Sequence, residues 1–115
     1  MSNAVTRAAQ QVVWLDEVTN SDVPLVGGKN ASLGELLRHL GAAGVRVPPG
    51  FATTVAAYWD FVDANGLRAL IETTCSRLDR QALTLADAGR TIRDAFLAGR
   101  WPPATADAIL AAYAA

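Results

Sequence analysis

The sequence predicts a helix-rich α/β (α+β) fold with short strands and about five helices. Two β-prone runs alternate with a helical periodicity in the first half of the chain, and after Thr54 every apolar pattern has helical spacing. A chain of 115 residues also has the length of one domain at most. We therefore expect all these elements to belong to a single fold.

The first half carries two predicted strands with a helix between them. Val12 to Leu15 is a short β-prone run that ends at a polar stretch, and Phe51 to Thr53 is a second one after a Pro-Pro-Gly turn. A helix is predicted from Asn30, as the N-cap, to about Leu40, and Gly41 closes it. Its apolar face is formed by Leu33, Leu36, Leu37 and Leu40.

Four further helices are predicted after Thr54. The first ends near Asn65-Gly66 with a mainly aromatic buried face, and the second follows from Leu67 to Leu78. Thr84 and Asp87 have the spacing of a capping box for the third, which stops at Gly99 before a Trp-Pro-Pro turn and the last helix. The apolar residues that define the first, third and last of these helices are Val55, Tyr58, Phe61, Val62, Ile92, Phe96, Ala106, Ile109, Leu110 and Tyr113.

A glycine pair and a lysine precede the first predicted helix, at Gly27, Gly28 and Lys29. The unpaired N–H groups and the positive dipole end of a helix favour an anion, and glycines let the backbone approach it closely. Lys29 adds a mobile positive charge. The pattern predicts a phosphate site, with an ordinary connecting turn and a solvated lysine as the alternative.

The same residues do not form a Walker A loop. That motif requires a glycine five positions before the Gly-Lys pair and a Ser or Thr after the lysine. Those positions hold Val23 and Asn30.

The run from Val26 to Leu36, together with Gly44-Val45-Arg46-Val47-Pro48-Pro49-Gly50-Phe51-Ala52-Thr53-Thr54, resembles the N-terminal part of the phosphoenolpyruvate synthase (pyruvate, water dikinase) family. A looser form of the pattern occurs in pyruvate, phosphate dikinases and rifamycin phosphotransferases. The resemblance runs from about Val12 to Tyr113 and is most specific between Val26 and Thr54. It implies the N-terminal portion of an ATP-grasp nucleotide-binding domain.

By this resemblance Lys29 contacts the nucleotide phosphates, and Gly27 and Gly28 shape the same loop. Thr53 and Thr54 match the family's threonine pair and are further candidates near the nucleotide. Their structural alternative places Thr53 in a strand and Thr54 at the start of the next helix. No catalytic residue and no metal ligand is predicted in this chain.

The resemblance also implies parts that this sequence does not contain. Family enzymes continue into a Val-Arg-Ser-Ser stretch, an adenine pocket, acidic Mg²⁺ ligands, a phosphohistidine domain and a pyruvate-binding barrel. We expect a flexible N-terminus over residues 1–10 and, over residues 11–115, a domain that is incomplete at its C-terminal side and inactive alone. The whole enzyme converts ATP, pyruvate and water into AMP, phosphoenolpyruvate and phosphate.

Two alternatives to that assignment stay open. One is a truncated or split-gene module that is not catalytic and docks on a partner, such as the remainder of the enzyme as a separate chain. The other is the corresponding part of a rifamycin phosphotransferase.

Composition excludes several classes of partner. A net charge of −1 offers no field for nucleic acid or anionic membrane. The absence of a long apolar run and of a signal-peptide pattern predicts a cytoplasmic location. Cys75 has no second thiol to pair with.

The other titratable residues have ordinary explanations. His39 suits the last turn of the first helix, where an imidazolium interacts well with the dipole. The acidic residues Asp16, Glu17 and Asp22 lie in a loop without metal-ligand spacing.

Overall fold

The computed structural model describes residue 7 and residues 9–115. Two compact units are formed, Met1–Tyr58 together with Pro103–Ala115, and Trp59–Pro102. The flexible N-terminus predicted for residues 1–10 lies largely outside the described residues and stays a prediction. No helix among the described residues combines the length and the apolar character that a membrane span requires.

The first unit contains a small sheet, two 3₁₀ turns and several helices. The predicted strands are confirmed as β1 (Val12–Trp14) and β2 (Phe51–Thr53), which pair antiparallel with Val13 opposite Ala52. The 3₁₀ turns are Leu15–Glu17 and Asn20–Asp22, and the helices are α1 (Val23–Val26), α2 (Gly28–Ala42), the start of α3 (Val55–Ala64) and α6 (Pro103–Ala114). The helix-rich α+β class is therefore confirmed, and the single-turn α1 is an addition to the five predicted helices.

The core of the first unit is small and built from valine and alanine. It comprises Val13, Val18, Val26 and Ala31, with Leu25 packed against them. Helix α6 lies against β1, where the fully buried Thr105 hydroxyl donates to the Gln11 side-chain oxygen. This contact attaches the last helix to the first strand.

Helix α2 differs from its prediction at its start. It begins at Gly28, and its N-cap is Gly27 instead of Asn30. The Asn30 side chain does not cap, because its amide donates back to the Val26 carbonyl at 3.0 Å. The short helix α1, which the sequence pattern did not predict, supplies that carbonyl.

The buried face of α2 also differs from the leucine stripe. Its buried residues are Ala31 and Gly34, whereas Leu33 and Leu36 are 47% and 53% exposed. At Gly34, the first 3₁₀ turn and Val18 come too close for a larger side chain. Leu37 and Leu40 are half-buried, so the predicted apolar face is buried only in part, and the fully buried positions of α2 lie beside it.

The second unit is built from the end of α3 with α4 (Leu67–Asp79) and α5 (Leu85–Leu97). Its core is Phe61, Val62 and Leu67, and the Phe61 and Phe96 rings stack with centroids 5.8 Å apart. Asn65 joins its two ends, because its side chain donates to the Arg100 carbonyl and accepts the Arg100 N–H at 2.9 and 2.8 Å.

Several details of the later helices correct the predictions. Tyr58 and Trp59 are 47% and 41% exposed, so the buried face of α3 is not mainly aromatic. Thr84 accepts the Asp87 N–H at 3.1 Å, but the Asp87 carboxylate lies near Arg90 at 3.6 Å, so one half of the capping box is observed. Helix α5 ends at Leu97, with Ala98 as its C-cap, before the predicted stop at Gly99.

Candidate functional site

The Gly-Gly-Lys segment forms the sharp junction between α1 and α2. Gly27 is at once the C-cap of α1 and the N-cap of α2, with φ +82° and ψ 165°. Residues with a side chain rarely adopt this backbone conformation, so the junction requires glycine at position 27. Gly28 is the first residue of α2, and nothing lies within 4 Å of the position that a Cβ would occupy there. The backbone at Gly28 is therefore open to a ligand.

Lys29 lies in the first turn of α2 with an exposed side chain. It is the only lysine of the sequence. Within the part of the chain that the structure describes, its ammonium group has no carboxylate partner. The cation is thus available to an external anion.

An open groove of about 470 Å³ runs along this end of α2. Its lining residues are Gly28, Lys29, Ser32, Leu33 and Leu36. The residues that line the groove carry an ammonium group, a hydroxyl and two leucine side chains, and the groove lies beside the first turn of the helix. That combination suits a ligand with an anionic part and an apolar part.

The groove is held in place by a close contact behind α2. A Cβ built on Gly34 would lie 2.6 Å from the Val18 carbonyl oxygen and 2.9 Å from the Leu15 carbonyl oxygen. The Arg38 guanidinium donates to the same Val18 oxygen at 2.5 Å. Glycine at position 34 therefore permits the 3₁₀ turns to pack directly on the helix backbone.

A carboxylate of α2 anchors the second 3₁₀ turn. Glu35 Oε1 accepts the backbone N–H of Asn20 at 3.0 Å, and the Arg38 and His39 side chains lie 3.6 and 3.3 Å from the same carboxyl group. The Asn20 hydrogen bond, followed by the Arg38 and His39 side chains, lowers the pKa of Glu35. Glu35 is therefore ionised at neutral pH.

Asp22 stabilises the turn from its other side. Its carboxylate accepts the Thr19 N–H at 2.8 Å and pairs with Arg7 at 2.8 Å, and the Thr19 hydrogen bond is the main reason that the pKa of Asp22 is lowered. With Thr19 as N-cap, these contacts complete a capping box.

Thr53 and Thr54 occupy the places that their structural alternatives predicted. Thr53 is exposed in β2, and Thr54 is 2% exposed at the start of α3. The Thr54 hydroxyl accepts the Ala57 N–H at 3.1 Å and donates to the Gln10 carbonyl, so it caps the helix. Neither threonine lines the groove beside Lys29, whose lining includes Gly28 but not Gly27.

A second cleft in the first unit does not suit phosphate. It has a volume of about 200 Å³ and a lining without any cationic side chain. The residues that line it are Trp14, Asp16, Leu37, Val47, Pro49 and Gly50. Its single carboxylate would repel an anion.

The remaining candidates have structural roles. His39 lies in the last turn of α2, as predicted, and faces Glu35. No group of three metal-ligating side chains occurs among the described residues. The residues that sequence reasoning missed are Gly34, Glu35 and Arg38, and their signal was the spacing of the small and polar residues Ala31, Gly34 and Arg38 along one face of the helix.

Comparison with known proteins identifies relatives over most of the chain. The family model described as the AMP/ATP-binding domain of pyruvate phosphate dikinase matches residues 23–115. Phosphoenolpyruvate synthase of Aquifex aeolicus is 41% identical over 107 residues, which are 92% of this chain and 12% of that protein. The Escherichia coli phosphoenolpyruvate synthase is 41% identical over 104 residues, or 90% of this chain and 13% of that protein.

A more similar but shorter match is the probable phosphoenolpyruvate synthase of Staphylothermus marinus, which is 51% identical over 79 residues, 69% of this chain and 9% of that protein. The chain thus spans only about 12% of the length of the curated relatives that it matches.

Proposed function

This chain belongs to the family of pyruvate phosphate dikinase AMP/ATP-binding domains, and on that premise we propose that it forms the first part of an ATP-binding domain and contacts the nucleotide phosphates through Gly27, Gly28 and Lys29. The resemblance to phosphoenolpyruvate synthases is confirmed by the relatives. In the proposed whole enzyme, ATP, pyruvate and water yield AMP, phosphoenolpyruvate and phosphate.

The observation that carries the proposal is the Lys29 ammonium at the start of a helix of 15 residues, with no carboxylate partner among the described residues. The backbone N–H groups of Gly28, Lys29 and Asn30 have no acceptor within α2, because a helix leaves its first N–H groups unpaired. Together with the helix dipole they form an anion site of roughly half a positive charge, to which the ammonium adds a full one. Phosphate oxygens complement both.

This site alone is too small to bind a nucleoside triphosphate tightly. One ammonium and one helix end neutralise only part of its charge, and the groove encloses little of the ligand. We expect ATP to bind the chain with a Kd in the millimolar range or weaker, on the order of −4 kcal/mol. We also expect no pyruvate-dependent formation of AMP.

Magnesium does not fit the described residues, because they contain no cluster of acidic side chains that could hold a metal ion. In the proposed enzyme, the Mg²⁺ ligands and the ATP-grasp adenine pocket belong to the parts that family enzymes carry from the Val-Arg-Ser-Ser stretch onward. A cytoplasmic location remains part of this proposal.

The single lysine permits a direct test. Reductive methylation with ¹³C-formaldehyde labels Lys29 as the only side-chain amine, so its NMR signal can be followed as ATP or inorganic tripolyphosphate is added. The signal should shift and saturate at millimolar ligand. An unmoved Lys29 signal, with shifts elsewhere in the chain, would remove this residue from the site.

A matched pair of variants supports the test. K29A should abolish the ligand-induced shift of the Gly28 amide. R77A removes one exposed positive charge from the last turn of α4 and should leave that shift unchanged. Equal affinity in K29A and the unaltered chain would refute the proposal.

A second candidate function is a module that is not catalytic and docks on a partner chain. It is favoured by the apolar residues that two helices of the first unit expose, Leu33 and Leu36 on α2, and Leu110 and Tyr113 on α6 at 66% and 83% exposure. A downstream reading frame that resumes at the family's Val-Arg-Ser-Ser stretch would indicate a split enzyme. A transcript that contains no such downstream reading frame would favour the non-catalytic module.

A further inference from the structure

Hydrogen bonds from α2 close the loop that carries Lys29 into a ring. Glu35 Oε1 accepts the N–H of Asn20 at 3.0 Å, and Asn20 begins the 3₁₀ turn that runs directly into α1, Gly27 and α2. Near the other end, the Asn30 amide donates to the Val26 carbonyl at 3.0 Å. Every residue between 20 and 35 therefore lies inside a ring that the Glu35 side chain closes.

Glu35 has a distinct part in this ring. Gly34 and Arg38 contact the preceding residue Val18, outside the ring. Among the residues that the structure describes, Glu35 is the only α2 side chain that hydrogen-bonds the second 3₁₀ turn. Glu35 thus links that turn to α2 by this side-chain hydrogen bond, in addition to the core packing of Val26 in the α1 helix that continues from it.

Gly27 is the joint that needs such a restraint. It has φ +82° and ψ 165°, and nothing lies within 4 Å of the place that a Cβ would take. Glycine has a wide range of accessible conformations, so its own sterics do not select this one. The burial of Val26 and Ala31 in one core restrains the joint from both sides. The Glu35–Asn20 hydrogen bond closes the same ring and adds a further restraint on this joint.

We infer that Glu35 is a positioning residue for the phosphate loop, holding α1 at the angle that sets Gly27 and thereby presents the Gly28 N–H and the Lys29 ammonium to an anion. The inference rests on the proposed function of that loop. Glu35 acts through Asn20 and does not touch the ligand.

Electrostatics predicts the opposite effect for the same residue. A carboxylate on the helix that binds an anion disfavours binding, so removal of its charge should by itself strengthen binding. If removal of Glu35 weakens binding, the direction of the change shows that Glu35 acts by positioning the loop and not by its charge.

The test uses the full chain and inorganic tripolyphosphate, with Kd measured from the Gly28 amide shift at neutral pH. E35A should weaken binding by about twofold to tenfold, the range that one hydrogen bond supplies. E35Q keeps an acceptor for the Asn20 N–H, so its Kd should be no more than about twofold above that of the unaltered chain. E72A, which removes an exposed carboxylate from α4, is the control and should not weaken binding.

A second variant removes the donor instead of the acceptor. N20P lacks the N–H, and the preceding Thr19 is extended with φ −122° and ψ 172°, which suits a residue before proline. N20P should weaken binding as E35A does, and the double variant should be no weaker than either. Additive losses would show that the two groups do not act through one hydrogen bond.

The outcomes separate this inference from the proposed function. If binding depends on Lys29 but E35A binds as tightly as the unaltered chain or more tightly, positioning by Glu35 is refuted and the phosphate loop stands. If binding does not depend on Lys29, both are refuted. Should E35A fail to fold, the comparison of N20P with E35Q decides, and equal affinity in those two variants overturns the inference.

Discussion

Replacement of Gly34 by alanine tests the contact on which the candidate site is built. A Cβ at this position would lie 2.6 Å from the Val18 carbonyl oxygen, 2.9 Å from the Leu15 carbonyl oxygen and 2.9 Å from the Val18 Cβ. Two of these are backbone atoms, which cannot move away by a change of rotamer. Val18 is fully buried, so the 3₁₀ segment has to separate from α2.

The magnitude follows from two opposing effects. Overpacking against backbone costs about 3 kcal/mol, at the upper end of its usual range. Alanine inside a helix is favoured over glycine by about 1 kcal/mol. We therefore expect G34A to lose about 2 kcal/mol of unfolding free energy, or about 8 °C in Tm.

The assay is urea unfolding followed by circular dichroism, with amide hydrogen exchange at Ala31 to report on the first unit. The control is G41A, in the same helix, where nothing lies within 4 Å of the added Cβ. G41A should gain up to about 1 kcal/mol from helix propensity. If G34A is as stable as G41A, the close contact with Val18 does not exist and the account of how the loop is held is wrong.

Three further changes test other contacts. The pKa of Asp22 is lowered in the folded protein, so its carboxylate stabilises the fold at pH values above its unfolded pKa of about 4. The free energy of unfolding should therefore fall as the pH drops through the lower folded pKa. D22N should flatten this dependence in acid titrations monitored by circular dichroism. T54V removes the buried N-cap of α3 and should cost about 1–2 kcal/mol in urea unfolding, whereas T54S should cost less; equal losses would show that the hydroxyl does not cap. N65A leaves the Arg100 N–H and carbonyl without their partner and should cost about 1–2 kcal/mol, with raised hydrogen exchange at Arg100; unchanged exchange would argue against the pairing.

Much of the fold follows from local patterns. The strands at Val12–Trp14 and Phe51–Thr53, and the five longer helices, lie close to their predicted places because periodicity, glycine and proline act over a few residues. The cap at Thr54 was also predictable from the sequence, because a threonine directly before a helical pattern is typical of an N-cap. The family motif predicted a phosphate-binding loop at Gly27, Gly28 and Lys29, and that function remains a proposal.

Other features depend on parts of the chain that are distant in sequence. The leucine stripe of α2 is the stronger apolar signal, yet the face with Ala31 and Gly34 is buried because the Val18 backbone approaches too closely for a larger residue. The short helix α1 and the two 3₁₀ turns have weak local signals. They are held by Glu35, Arg38 and Asp22, whose partners Asn20, Val18 and Arg7 lie 15 to 20 residues away in the sequence.

The amino-acid sequence by itself determined the two strands, the five longer helices, the family and the position of the only lysine, since each depends on residue type and local order. Tertiary structure alone decided which residues of α2 are fully buried and that Gly27 instead of Asn30 caps the helix. It also decided that the Glu35 carboxylate, about two turns into the helix, closes the loop around the lysine. The physical reason is that burial and hydrogen bonding depend on which segments meet in space, and helical periodicity carries no information about how closely a distant backbone approaches.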